Sequence, residues 1–252
     1  VATANLLGAL HERGFYGRVV LGSSMVVYGE GRYRCSVHGV VRVGPRTRAR
    51  LDLAQWDPQC PSCDRVVRAE PVGEDAPVDP RNVYAATKLH QEHLVTAYGR
   101  EHASSTVVLR YHNVYGPRMP RATPYAGVAS IFRSAYEQRL APRILEDGQQ
   151  RRDFVHVSDV AHANVLALLA DPDVSTTCNV ASGHPTTVLE MARALAQAFD
   201  AAPAPEVVGG YRLGDVRHVF ASVERARRVL AFSAAVPPEQ GLVEFATAPL
   251  RA

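Results

Sequence analysis

Apolar residues recur at helical spacing through residues 2–13, ATANLLGALHER, and then give way to GRVVLGSS at 17–24. That second stretch is a glycine-flanked, β-branched run of the kind that suits a parallel strand buried on both faces. The same helical spacing predicts helices over 83–102, 127–139, 158–170 and 187–199, the last with Thr186 or Thr187 placed to cap it. STVVLRYHNVYG at 105–116 and TTCNVAS at 176–182 read as strands. Strands alternating with helices at this interval indicate an α/β fold with a parallel sheet. Residues 31–70 break the rhythm. Arginine, proline, glycine and three cysteines with little periodicity mark them as an insertion.

Composition adds limits to this picture. A chain of 252 residues, 46% of them apolar, can bury a core for one large or two small domains. Its net charge is +3 and its basic residues are dispersed, which gives no argument for nucleic acid or an anionic membrane as partner. No apolar run approaches the roughly 20 residues a bilayer requires, and VLALLA at 165–170 reads as the buried face of a helix. No signal sequence is visible after Val1, and a soluble protein is expected.

One residue stands out against this background. Lys88 is the sole lysine among 28 basic side chains, and it follows Tyr84 by four positions. On a helix that spacing brings a phenol and an ammonium to one face. A phenol near its reference pKa of about 10 is a poor base at neutral pH, and an adjacent cation favours the phenolate. An ammonium can also donate to a sugar hydroxyl, a task for which arginine's planar fork is a different tool. A solvated helix pair is the plain alternative, so the surroundings decide. Ser23 and Ser24, in VVLGSSMVVYG (19–29), stand at the C-terminal end of a predicted central strand, where open α/β sheets place ligands.

Ser24 with Tyr84 and Lys88 resembles the triad of the short-chain dehydrogenases/reductases. SSMVVYG and VYAATK are similar to the extended, nucleotide-sugar-modifying branch of that family. Further likenesses run through LRYHNVYGPR (109–118), RRDFVHVSDVAHA (151–163), CNVASG (178–183) and YRLGDVRH (211–218). The resemblance implies a Rossmann-like, doubly wound parallel sheet with a smaller C-terminal substrate-binding domain. Residues 1–118 would form part of the NAD-binding domain, with 31–70 inserted, and 119–252 would bind mainly substrate, 151–182 returning in part to the Rossmann core.

By the same resemblance Tyr84 takes a proton from a sugar hydroxyl, Ser24 hydrogen-bonds that oxygen and Lys88 orients the NAD ribose. Ser23 and Tyr111 would lie along the cofactor, with Tyr111 beside the nicotinamide. Asn113, Arg152 and Arg212 would bind the substrate's phosphates, Asp215 its ribose, and PRILEDG (142–148), centred on Ile144, its base. Dehydratases of the family carry an Asp-Glu pair after the serine, and decarboxylases a glutamate. Here Met25 and Val26 follow, and neither side chain can transfer a proton. A 4-epimerase is therefore implied, with a nucleotide-sugar reductase as the alternative. GEGRYRCSVHG (29–39) resembles relatives that act on thymidine-diphosphate deoxyhexoses such as rhamnose. A cytoplasmic homodimer, paired through the Tyr84 helix and its neighbour, is also implied.

Cys35-x-x-His38 and Cys60-x-x-Cys63 form two pairs separated by twenty-one residues. Three sulfurs and one imidazole complete a closed tetrahedral set for structural Zn²⁺, with a disulfide or free thiols as alternatives. Cys178 reads as a small core residue. One departure from the family is plain: the GxxGxxG turn that holds the NAD pyrophosphate does not occur. VATANLL resembles a helix that normally follows the first strands of the cofactor domain. An N-terminally truncated chain is expected, one that binds NAD poorly and exposes a strand edge. A non-catalytic, zinc-bearing fragment is the corresponding alternative function.

Overall fold

The structure, a computed structural model, describes residues 1–120 and 127–251. Helix α1 (Ala2–Glu12) leads into β1 (Val19–Ser24), which ends in a 3-10 turn at Met25–Tyr28. The insertion then forms β2 (Arg32–Cys35), β3 (Gly39–Val41), the single-turn α2 (Arg48–Leu51) and β4 (Arg68–Glu70). These strands make a separate antiparallel sheet in the order β3-β2-β4. The main fold resumes with α3 (Val83–Glu101), β5 (Thr106–Tyr111), β6 (Asn113–Tyr115) and α4 (Val128–Glu137). Next come β7 (Arg143–Leu145), β8 (Arg151–His156), α5 (Val157–Leu169) and β9 (Thr176–Val180). The last part is made of β10 (Pro185–Thr187), α6 (Val188–Ala196), β11 (Glu206–Gly209), β12 (His218–Val219), α7 (Glu224–Leu230) and α8 (Pro238–Thr247).

The principal sheet is parallel, in the order β1-β5-β9, as the alternation of strands and helices requires. Val107, Leu109, Cys178 and Val180 on its inner face pack against Val160 and Ala163 of α5 and Phe232 beyond α7. Burial of each large aliphatic there contributes about 1.5–3 kcal/mol. The 105–116 run, expected as one strand, is two. After Tyr111 the chain turns at His112, whose N–H donates to Val180 O at 3.0 Å, and β6 pairs with β8 in another sheet. That turn sends Asn113 away from the principal sheet. β1 is also less enclosed than its composition suggests, because it lies at the outer edge of the three-strand order and most of its residues are half-buried. A second core, built on Tyr115, Phe132, Ile144, Phe154, Leu195 and Phe245, lies under α4, α6 and α8. Thr187 caps α6 through a reciprocal capping box with Glu190. No helix among the described residues is long and apolar enough to cross a membrane.

His112, at the corner between β5 and β6, carries a pH-dependent cost. Burial pulls it down to about 4, with the Asp153 charge acting in the opposite direction. Above an unfolded-state pKa of about 6.5 both states hold it neutral. Below that value the unfolded chain binds a proton that the folded chain refuses. Stability is therefore full above about 6.5 and falls as pH drops toward about 4, by about 2 kcal/mol between pH 7 and pH 5. Urea unfolding of the parent and of His112→Leu at both pH values checks this. The parent should lose about that much more than the variant, and equal losses would exclude His112 as the source.

Candidate functional site

The C-terminal ends of β1 and β5 lie side by side, Ser24 paired with Tyr111 and Ser23 with Arg110. Ser24 Oγ accepts from Val26 N at 3.4 Å and so starts the 3-10 turn. Asn82 caps α3, its Oδ1 accepting from Ala85 N at 2.8 Å, which sets Tyr84 on the helix's first turn with 56% of its surface exposed. One turn on, Lys88 Nζ donates to Gly22 O at 2.8 Å and stands 6.0 Å from the centroid of the Tyr84 ring. Partial burial holds the Lys88 ammonium below its ordinary pKa. The Tyr111 ring lies across Gly22, where an added Cβ would fall 2.9 Å from Tyr111 Cε2. Tyr111 Oη donates to Asn164 Oδ1 at 2.8 Å. Ser24, Tyr84, Lys88 and Tyr111 thus gather at one strand end.

Ser23 behaves differently. Successive strand residues face opposite sides of a sheet, so Ser23 points inward when Ser24 points out. Its buried hydroxyl donates to Glu92 Oε1 at 2.5 Å. Glu92 in turn receives Arg110 Nε at 3.0 Å and Nη2 at 2.7 Å, both residues being buried. Sequence reasoning missed this pair, although Glu92 continues the four-residue spacing of Tyr84 and Lys88 along one face of α3.

Four of the expected substrate residues, Asn113, Arg152, Arg212 and Asp215, line one cavity of 230 Å³ beside Phe132 and Gln150. Asn113 Oδ1 is buried there with no hydrogen-bond partner among the described residues. The Arg152 guanidinium is held by backbone carbonyls, at 2.9 Å from Arg217 O and 2.6 Å from Val216 O. Those contacts fix its position without neutralising its charge, which suits an anion. Burial lowers the Arg152 pKa and nearby Asp215 opposes that shift. Ile144 is not in the cavity. Its side chain is 1% exposed and faces the second core, while its strand neighbours Arg143 and Leu145 line the wall. Arg217, another residue the sequence did not single out, anchors this region through Asp57, Glu146 and Asp147 at 2.7–2.9 Å.

In the insertion, the ligand atoms of Cys35, His38, Cys60 and Cys63 all lie within 4.8 Å of one another, and the cysteines form no disulfide. Cys35 Sγ is 3.7 Å from Cys63 Sγ and 3.7 Å from His38 Nδ1, and Cys60 Sγ is 3.4 Å from His38 Nδ1. A tetrahedral zinc with ordinary Zn–S and Zn–N lengths needs edges of about 3.8 and 3.6 Å. Each ligand pair is followed by a left-handed residue, Gly39 (φ 68°) and Asp64 (φ 57°), so the two turns present their ligands alike. Backbone N–H groups of His38 and Val37 draw the Cys35 thiol down to about 6, toward the thiolate a metal binds.

The chain is similar to known proteins over most of its length. The model of the NAD dependent epimerase/dehydratase family matches residues 61–181. The chain is 36% identical to a dTDP-L-rhamnose 4-epimerase of Burkholderia thailandensis, over 98% of this chain and 67% of that protein. Among solved structures, UDP-N-acetylglucosamine 4-epimerase from Methanobrevibacter ruminantium in complex with UDP-N-acetylmuramic acid superposes with a TM-score of 0.74. It is 26% identical, over 97% of this chain and 66% of that one. UDP-glucose 4-epimerase of Thermus thermophilus in complex with NAD gives a TM-score of 0.71 at 27% identity, over 97% of this chain and 67% of that one. The chain thus spans about two thirds of the length of these relatives.

Proposed function

Because this chain belongs to the NAD-dependent epimerase/dehydratase family, we propose that its residues serve a nucleotide-sugar 4-epimerase, with a thymidine-diphosphate deoxyhexose as the favoured substrate. The observation that carries this reading is the cavity that joins Asn113, Arg152, Arg212 and Asp215. It lies two residues along the chain from Tyr111, whose strand partner is Ser24. The likeness to the Burkholderia dTDP-L-rhamnose 4-epimerase supports the choice of sugar.

The residues fit one end of a nicotinamide cofactor. Lys88 spends one of its three donors on Gly22 O, which leaves two for a ribose. Tyr84 and Tyr111 would border the ring, while Ser23 supports the strand from inside. NAD, when bound, supplies the acceptor and donor of hydride at C4 of the sugar. Tyr84 takes the C4 hydroxyl proton and later returns one, Ser24 steadies the same oxygen, and Lys88 favours the phenolate. Arg152 and Arg212 hold the phosphates as the sugar turns. Met25 and Val26 beside Ser24 offer no further acid or base, so the sugar is not dehydrated. Structural Zn²⁺ in the Cys35-His38-Cys60-Cys63 set, a homodimer formed through α3 and its neighbour α1, and a cytoplasmic setting complete the proposal.

The full natural polypeptide, incubated with dTDP- and UDP-sugars and either trace NAD⁺ or stoichiometric NADH, tests it. Many sugars interconverted per NAD⁺ mark an epimerase, stoichiometric consumption of reduced cofactor a reductase, and no reaction with any sugar rejects the reading. Arg152→Gln should raise KM for the nucleotide sugar about 10- to 100-fold with kcat nearly kept, because a charge-assisted bond contributes about 1.5–3 kcal/mol to binding in ground and transition states alike. An unchanged KM would remove Arg152 from the phosphate site.

A further inference from the structure

The insertion docks on one particular part of the fold, the segment 206–218 that carries Arg212 and Asp215. Four residues lying between its two ligand pairs make contacts there, beside Tyr33, whose Oη accepts from His218 N at 3.2 Å. Arg46, 5% exposed at its side chain, reaches Asp215 O at 2.8 Å and Glu146 Oε1 at 2.8 Å. Asp57 takes Arg217 Nε at 2.9 Å, and hydrogen bonds from His218 and then Arg217 hold its carboxyl well below the usual range. Asp52 accepts from Tyr211 Oη at 2.5 Å, and the Trp56 and Tyr211 rings lie 6.4 Å apart.

The stretch between the ligand pairs has little regular structure of its own. It contains one three-residue strand and one helical turn. The insertion's own core is small, consisting of Tyr33, Val43, Val67 and the buried cysteines. Such a unit depends on its metal for a fixed shape. Beyond the interface the contacts continue, since the carbonyl of Arg217 is one of those that position the Arg152 guanidinium.

We infer that the four-ligand insertion is a clamp on segment 206–218, so that metal bound 35–63 positions the nucleotide-binding residues Arg212, Asp215 and Arg152. Arg46 and Asp57 are its positioning residues. The nucleotide and the metal rest on the proposed function; the grip of Arg46 and Asp57 on segment 206–218 does not. Linkage makes the coupling reciprocal: if metal tightens nucleotide binding by some factor, nucleotide tightens metal binding by the same factor.

The test uses the full chain loaded with Zn²⁺, the chain stripped by a chelator, and Arg46→Met with zinc retained. Amide hydrogen exchange over 206–218 should speed up about tenfold or more in the stripped chain and in Arg46→Met, while 106–111 and 176–180 keep their protection. Thymidine diphosphate should bind about tenfold more weakly in both, and at saturation it should raise zinc affinity in chelator competition by the same factor. Unchanged exchange over 206–218 in zinc-loaded Arg46→Met overturns the clamp, even if stripping unfolds the whole chain. Failure of every form to bind nucleotide would count against the proposed function alone, and the exchange result would still decide the clamp.

Discussion

Tyr84→Phe is expected to lower kcat for sugar interconversion by about 10²- to 10⁴-fold, the range that a positioned general acid–base contributes. The substitution removes one oxygen and little else. Asn82 still caps α3, the ring keeps its place on the first turn, and Lys88 stays bonded to Gly22 O. Because Tyr84 is 56% exposed, stability should change by no more than about 0.5 kcal/mol. KM should move little, since the cavity of Asn113, Arg152, Arg212 and Asp215 is built from other elements. A fall in kcat without a fall in Tm or a rise in KM identifies the phenol as the group that moves the proton. Steady-state kinetics and thermal unfolding of the full natural polypeptide make the comparison, and turnover at the parental rate would dismiss Tyr84 from the chemistry.

What could be read from the chain depended on how local each interaction is. α1, α3, α5 and α6 each run for nine residues or more, long enough to be read from the chain, and Thr187 with Glu190 announces the start of α6. The gathering of Cys35, His38, Cys60 and Cys63 was legible because each pair is set by a tight turn. By contrast β10, β11 and β12 run for two to four residues, too short for any period to emerge. The division of 105–116 into β5 and β6 depends on which strand each half pairs with, a non-local choice that alternation does not encode. The inward turns of Ser23 and Ile144 follow from strand alternation, which a family likeness read residue by residue does not weigh. The docking of the insertion was invisible for a similar reason. Arg46 meets Glu146, and Asp57 meets Arg217, across spans of sequence that the fold alone closes.

Glu92→Ala should cost about 3–5 kcal/mol of stability, more than truncation of any exposed charge. The Glu92 carboxylate accepts three hydrogen bonds, from Ser23 Oγ, Arg110 Nε and Arg110 Nη2, and both partners in the ion pair are 6% exposed. Removing it strands a guanidinium that burial has cut off from water. The Tyr28 ring, 4.7 Å from that guanidinium, and the Glu74 carbonyl at 3.2 Å cannot replace a full negative charge. The double variant Glu92→Leu with Arg110→Met separates two explanations. If the loss comes from the unpaired cation, removing both charges should recover most of it; if the pair is itself strongly stabilising, the double variant should stay as weak as the single one. Urea unfolding of the three chains decides between them, and a single-variant loss under 1 kcal/mol would mean that the pair is not the anchor its burial indicates. Glu92 ties α3 to the ends of β1 and β5, the three elements that carry Tyr84 and Lys88, Ser24, and Tyr111. The single variant should therefore lose turnover at temperatures where it is still folded, whereas Tyr84→Phe loses it with no change in stability.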